Sequence, residues 1–216
     1  MVEGQTEEQF SKSLLVPHLA AVGVWAKVLI VTTSRDRLTG RKAKGGGTWS
    51  SWKRDLRTLM GSDGGADVRF TTLFDLYGLP DDFPGVSLRL PAEKAADRAL
   101  RLESEMSNAL GDWRLIPYLQ LHEFEAFVFV DLAQLGLLMD PQDRPQVEAL
   151  ATSVIGLAPE DINEGATTAP SKRLRGHLPV YEKTVHGALA TEAIGLARIR
   201  GACPRFDRWL WILEAL

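Results

Sequence analysis

The longest apolar run of the chain, Leu115-Ile116-Pro117-Tyr118-Leu119-Gln120-Leu121-His122-Glu123-Phe124-Glu125-Ala126-Phe127-Val128-Phe129-Val130, carries His122, Glu123 and Glu125 within four consecutive positions. A carboxylate withdrawn from water costs several kcal/mol unless something neutralises it, so acids in such a segment call for a partner. The residues alone leave two kinds open: an Arg or Lys in a structural ion pair, or a divalent cation with acid/base chemistry. Three other acids stand where chain geometry exposes side chains to crevices. Glu3 precedes Gly4 at a strand-to-helix turn, Glu7 lies in the helical turn that follows, and Asp75 ends an apolar strand. Each also has a plain reading: Glu7, with Glu8, offsets the positive first turn of a helix, and Asp75 forms a turn. Taken together, the five acids suit Mg²⁺ or Mn²⁺, hard cations that prefer carboxylate oxygens and keep waters that a phosphate can replace. Acids on neighbouring strand ends are the arrangement by which two-metal sites activate water and stabilise a leaving oxygen.

Cations are concentrated in one stretch. Ser34 to Gly47 holds Arg35, Arg37, Arg41, Lys42 and Lys44 together with four glycines. Such a loop is either simply solvated or faces phosphate, since unhindered glycine amides and mobile cations can follow a nucleic-acid backbone. The spacing is not that of a P-loop. Lys172, Arg173 and Arg175 follow a Pro-Ser turn and offer the same choice between surface charge and phosphate contact. His122 reads as a core histidine or as one that orients a ligand, and His18, His177 and His186 lack metal spacing.

The elements that must position these groups follow from periodicity. Thr6-Glu7-Glu8-Gln9 has the form of a capping box, with Thr6 as cap, and Phe10, Leu14, Leu15 and Leu19 continue it as a helix to about Leu19. Gly23 to Thr33 reads as a buried strand. Thr48 caps a helix running to about Met60, with Trp52, Leu56 and Leu59 inward. Asp67 to Phe74 is a second strand, and Pro91 to Leu110 a helix closed by Gly111. This alternation, leading into the apolar run, predicts a three-layer α/β domain. Beyond Asp131 the pattern turns helical: Pro141 to Ile155, a turn at Pro159 to Gly165, then Ala169 to Arg175, Val180 to Ala190, and Pro204 to Leu216 with Phe206, Trp209, Leu210 and Leu213 inward. The expected division is an α/β domain over 1–135 and a helical extension over 136–216.

Bulk properties narrow the class. A chain of 216 residues with 45% hydrophobic residues can bury a core without staples, and a net charge of −3 advertises no global nucleic-acid field. The lone Cys203 excludes internal disulfides and thiolate clusters. No segment reaches the length of a membrane span and the N-terminus is unlike a secretory signal, so a cytoplasmic protein is expected.

Val2-Glu3-Gly4-x-Thr6-Glu7-x-x-Phe10, Gly45-Gly46-Gly47, Thr71-Thr72-x-Phe74-Asp75-x-Tyr77-x-Leu79-Pro80, Phe83-Pro84-Gly85, Pro117-Tyr118, His122-Glu123-Phe124-Glu125-Ala126 and Ala169-Pro170-Ser171-Lys172-Arg173 together resemble a bacterial family of unknown function related to the TOPRIM fold. The resemblance implies a TOPRIM-like α/β/α arrangement with a mostly parallel sheet and metal-dependent nuclease chemistry on DNA or RNA. It also implies an AAA-type ATPase encoded nearby, as in phage-defence cassettes, and leaves a homo-oligomer open. By the same resemblance Glu3 is a metal ligand or general acid/base, Glu7 stands nearby as in the nuclease branch, and Asp75 is the first acid of an Asp-x-Asp pair. Tyr77 replaces the second acid, so Glu123 or Glu125 would supply the missing ligand, with Tyr77 and His122 behind the ligands. Because the chain begins at Met1, the strand before Glu3 is expected to be a stub unless the natural start lies upstream. That shortness, with Tyr77, also admits a non-catalytic subunit docked on the ATPase.

Overall fold

The computed structural model describes residues 1–31, 47–88, 90–162 and 168–216. The cationic positions Arg35, Arg37, Arg41, Lys42 and Lys44 lie outside the described residues, as does Asn163 to Gly165 of the expected turn. Contacts divide the chain into a first unit, Met1–Gly4 with Val28–Leu121, and a second, Gln5–Lys27 with His122–Leu216. The expected boundary near 135 therefore shifts: the chain changes unit at Leu121–His122, inside the apolar run, and the first helix belongs with the C-terminal residues.

The first unit is built on short parallel pairings. Strand β1 (Phe70–Thr71) pairs with β3 (Leu115–Ile116), and β2 (Phe74–Asp75) with β4 (Leu119–Gln120), both in parallel. The ladder between these stretches is broken for a chemical reason. Pro117 has no N–H to give, and the Thr72 hydroxyl substitutes for the backbone, donating to the Tyr118 carbonyl at 3.0 Å and accepting the Tyr118 amide at 2.9 Å. Val2, just before Glu3, holds a place in this pairing. Val2 bridges in parallel to both Ile30 and Leu73, with its amide donating to Leu29 and its carbonyl accepting from Val31. Of the strand expected over Gly23 to Thr33, only this bridge at Ile30 forms within the described residues.

Two helices complete the unit. Thr48 caps Trp49–Ser62 as its side chain accepts the Ser51 amide at 3.3 Å, and Trp49, Trp52, Leu56 and Met60 are buried. Ala95–Leu110 starts four residues later than Pro91 and ends, as expected, at Gly111, whose φ of 70° is left-handed. Its buried Glu103 reaches the sheet and accepts the Leu119 amide at 2.7 Å. Apolar side chains from helices and strands, Trp52, Phe74, Leu102, Met106 and Leu119 among them, form one core.

The second unit is helical. Gln5–Phe10 continues through a π-helical turn, Ser11–Leu15, into Val16–Ala21. Thr6 is thus inside the first turn and buried, and not the cap that the capping-box pattern predicts. After β4 the chain turns at His122, forms a 3₁₀ stretch Phe124–Val130, and proceeds through Leu132–Leu138, Arg144–Ser153, Pro170–His177, a second π-helical turn Lys183–Gly187, Ala188–Ile194, Leu196–Ala202 and Pro204–Glu214. The last helix buries Phe206, Trp209, Leu210 and Leu213, the face expected from their spacing. Phe10, Phe124, Phe127 and Phe206 pack ring against ring at centroid distances of 4.8 to 6.0 Å. No described helix is long and apolar enough to cross a membrane.

Candidate functional site: acids at the strand ends and beside Lys183

In the first unit the structure brings Glu3 and Asp75 together. Glu3 follows the one-residue strand at Val2, and Asp75 ends β2, so both stand at the carboxyl ends of parallel strands, where open α/β sheets collect ligands. The Asp75 amide donates to Glu3 Oε2 at 3.2 Å, and the Asp75 side chain is buried. Immediately after β2 the 3₁₀ turn Leu76–Gly78 brings Gly78 against the Glu3 carboxylate. A Cβ at Gly78 would lie 2.7 and 2.9 Å from the two Glu3 oxygens, so only glycine leaves this space. Tyr77, expected behind the ligands, is on the same turn and 37% exposed.

In the second unit Glu7 and Glu125 come together, and the partner is a lysine. The Lys183 ammonium is 2.9 Å from Glu7 Oε1 and 3.3 Å from Glu125 Oε2, and it lies over the Phe124 ring at 5.6 Å. Both carboxylates are buried, at 3% and 2% exposure. Burial pushes the Glu125 carboxyl above its ordinary range, against the pull of Lys183 and with the charge of Glu123 adding to the rise. Glu123 itself accepts two hydrogen bonds from Ser171, from the amide at 2.8 Å and the hydroxyl at 2.9 Å. Ser171 is in the first turn of Pro170–His177, whose cap residue Ala169 has no side-chain acceptor, so Glu123 supplies the capping oxygen from another segment.

His122 is buried with a φ of 62°, and its Nε2 is 2.9 Å from the Glu160 carbonyl. The Glu160 side chain in turn accepts the Arg205 and Phe206 amides at the start of the last helix. His122 is thus a bracing group within the second unit. Lys172 is exposed, while the Arg173 Nε donates to the Thr168 carbonyl at 2.9 Å. Cys203 is a free, buried thiol, and burial pushes it up.

Sequence reasoning missed Lys183, Ser171 as the Glu123 partner, and Gly78. Gly78 left a signal, since it sits between a strand-ending acid and Leu79-Pro80. Lys183 left none, because its partners are far away along the chain. Among the described residues no three His, Cys, Asp or Glu side chains are grouped so as to hold a metal ion. What the structure joins is the Asp75 amide to the Glu3 carboxylate in the first unit, and Glu7 and Glu125 to Lys183 in the second. No curated protein and no solved structure matches the chain. A family profile does, over residues 2–214, and the chain accordingly belongs to DUF4276, a domain family of unknown function.

Proposed function

We propose that this protein is a TOPRIM-type enzyme that acts on phosphodiesters of DNA or RNA with one Mg²⁺ or Mn²⁺ held by Glu3 and Asp75. The observation that carries the reading is the cradle at the strand ends: an acid from each of two parallel strands, the first oriented by the amide of the second, beside a glycine that a side chain would fill. The residues fit the ion. Mg²⁺ is commonly bound through only one or two carboxylates, with waters and substrate phosphate completing its shell. When bound, the cation supplies positive charge that polarises a phosphoryl oxygen. Glu3 would serve as a ligand of that ion, and the Asp75 amide keeps its carboxylate from swinging away. The basic stretch from Arg35 to Lys44 supplies the phosphate contacts that the sequence leads one to expect.

Purified protein incubated with plasmid, single-stranded DNA and tRNA tests it. Cleavage that requires Mg²⁺ or Mn²⁺ and is abolished by Glu3→Gln and by Asp75→Asn supports the reading; cleavage unaltered by both substitutions refutes it.

A second reading rests on a different observation. Glu7 and Glu125 are engaged by Lys183, Glu123 by Ser171 and Glu3 by the Asp75 amide, which is how a scaffold uses carboxylates. On this reading the chain is a non-catalytic TOPRIM-like subunit of an AAA-type ATPase, in keeping with the phage-defence setting that the sequence resemblance implies. Calorimetry without any Mg²⁺ or Mn²⁺ binding, together with co-purification of the ATPase, would favour it over the enzyme.

A further inference from the structure

Lys183 opens a π-helical turn, Lys183–Gly187, and π-helical turns are rare distortions that concentrate at functional sites. The ammonium sits between two buried carboxyl groups inside the second unit. Glu7 Oε1 and Glu125 Oε2 are buried and make no hydrogen bond besides their contact with the Lys183 ammonium. The Tyr181 hydroxyl is buried in the same region, 4% exposed and also without a hydrogen-bond partner, and it lies where a Cβ on Gly187 would be 2.7 Å away. Glu125 and Lys183 are the charges that bear most on it. A buried, acid-rich group with an unspent hydroxyl is how a hard cation is received; here the chain brings its own cation.

We propose that Lys183 is a tethered cation occupying, between Glu7 and Glu125, the place of a divalent ion, so that the second unit keeps its acids without metal and gains a Mn²⁺ site when the ammonium is removed. The inference refines the proposed cation chemistry by confining it to one ion, and it rests on that reading only for the ion at Glu3 and Asp75. An ammonium fixed to the backbone cannot leave with substrate or be removed by a chelator, whereas a bound ion can. The acids of the second unit are therefore insensitive to metal supply.

Mn²⁺ titration of the full chain, followed by the paramagnetic resonance signal of the free ion, tests the proposal. Wild type should bind one Mn²⁺, lost in Glu3→Gln/Asp75→Asn and kept in Glu7→Gln/Glu125→Gln. Lys183→Met should bind one more, Lys183→Met/Glu125→Gln should lose that extra ion, and Lys183→Arg should match wild type. Where Lys183→Met does not fold alone, recovery of its circular dichroism on refolding with Mn²⁺ supports the proposal, and failure to recover overturns it. A folded Lys183→Met that binds no additional ion also overturns it, as does a wild-type ion that disappears in Glu7→Gln/Glu125→Gln. Wild type without Mn²⁺ but Lys183→Met with one would end the Glu3–Asp75 reading while leaving the role of Lys183 standing.

Discussion

Gly78 lies so close to Glu3 that a single added carbon would meet both carboxylate oxygens within 3 Å. The obstacle would be the tip of a flexible side chain, so Gly78→Ala should fold with nearly unchanged stability while displacing the acid. A misplacement of about 1 Å can reduce a rate by roughly 100-fold. Gly78→Ala should accordingly lose about two orders of magnitude in metal-dependent cleavage while its melting temperature stays near that of wild type. Full activity in Gly78→Ala would show that Glu3 does not need its present place.

Ser171 and Glu123 form a cap assembled across 48 residues of sequence. Removing a capping oxygen typically costs about 1–2 kcal/mol. Urea unfolding of Glu123→Ala should show a loss of that size, and Glu123→Gln, which keeps an acceptor, a smaller one. Equal stability of wild type and Glu123→Ala would mean that water replaces the cap at no expense.

How far the sequence disclosed these arrangements depends on distance along the chain. The helix Trp49–Ser62 and its buried Trp52 and Leu56, the Gly111 stop, and the inward face of Pro204–Glu214 were all legible, because helical spacing and capping are local signals. Strand limits were not. Whether Thr72 gives its backbone or its hydroxyl to Tyr118 is settled by a neighbour 46 residues on, and the pairings contract to two residues each. The same holds for the acids. That Glu125 needs a partner was evident from its apolar surroundings, but that the partner is Lys183 follows from how the helix Gln5–Phe10, the π-helical turn at Lys183 and the 3₁₀ stretch meet within the second unit.

Stability should depend on pH through Glu125. Burial raises its carboxyl above the ordinary value of 4.5, opposed by Lys183 and reinforced by Glu123. Between the ordinary and the raised value the unfolded chain has released a proton that the folded chain retains. Stability contributed here is therefore whole below the unfolded value and declines as pH rises through the folded one. Glu125→Gln removes that decline and leaves Glu7 and Lys183 as a one-to-one pair. Thermal denaturation should find the variant more stable than wild type at pH 7–8 and the same near pH 4. A variant that is less stable at pH 8 than wild type contradicts this assignment.

His122 combines a left-handed backbone with a partly buried hydrogen bond to the Glu160 carbonyl. Truncation leaves that carbonyl without its ring partner, so His122→Ala should cost about 1–3 kcal/mol. His122→Gly loses the same bond but adopts φ near 60° freely, and should recover roughly 1 kcal/mol relative to His122→Ala. Guanidinium unfolding of the two variants side by side checks the order; alanine as the more stable of the two would show that the backbone relaxes.

The π-helical turn at Ser11–Leu15 gives the first helix one residue more than an α-helical path of the same length needs. The wider turn absorbs that residue, so the segments before and after it face as they would on one continuous α-helix, with Phe10 on its ring partners and Leu15 and Leu19 buried. Excising one residue within the turn should therefore leave both faces in place, whereas the same excision from a regular stretch would swing everything beyond it by roughly 100°. The turn acts as slack in the helix, a place where its length can change without its azimuth.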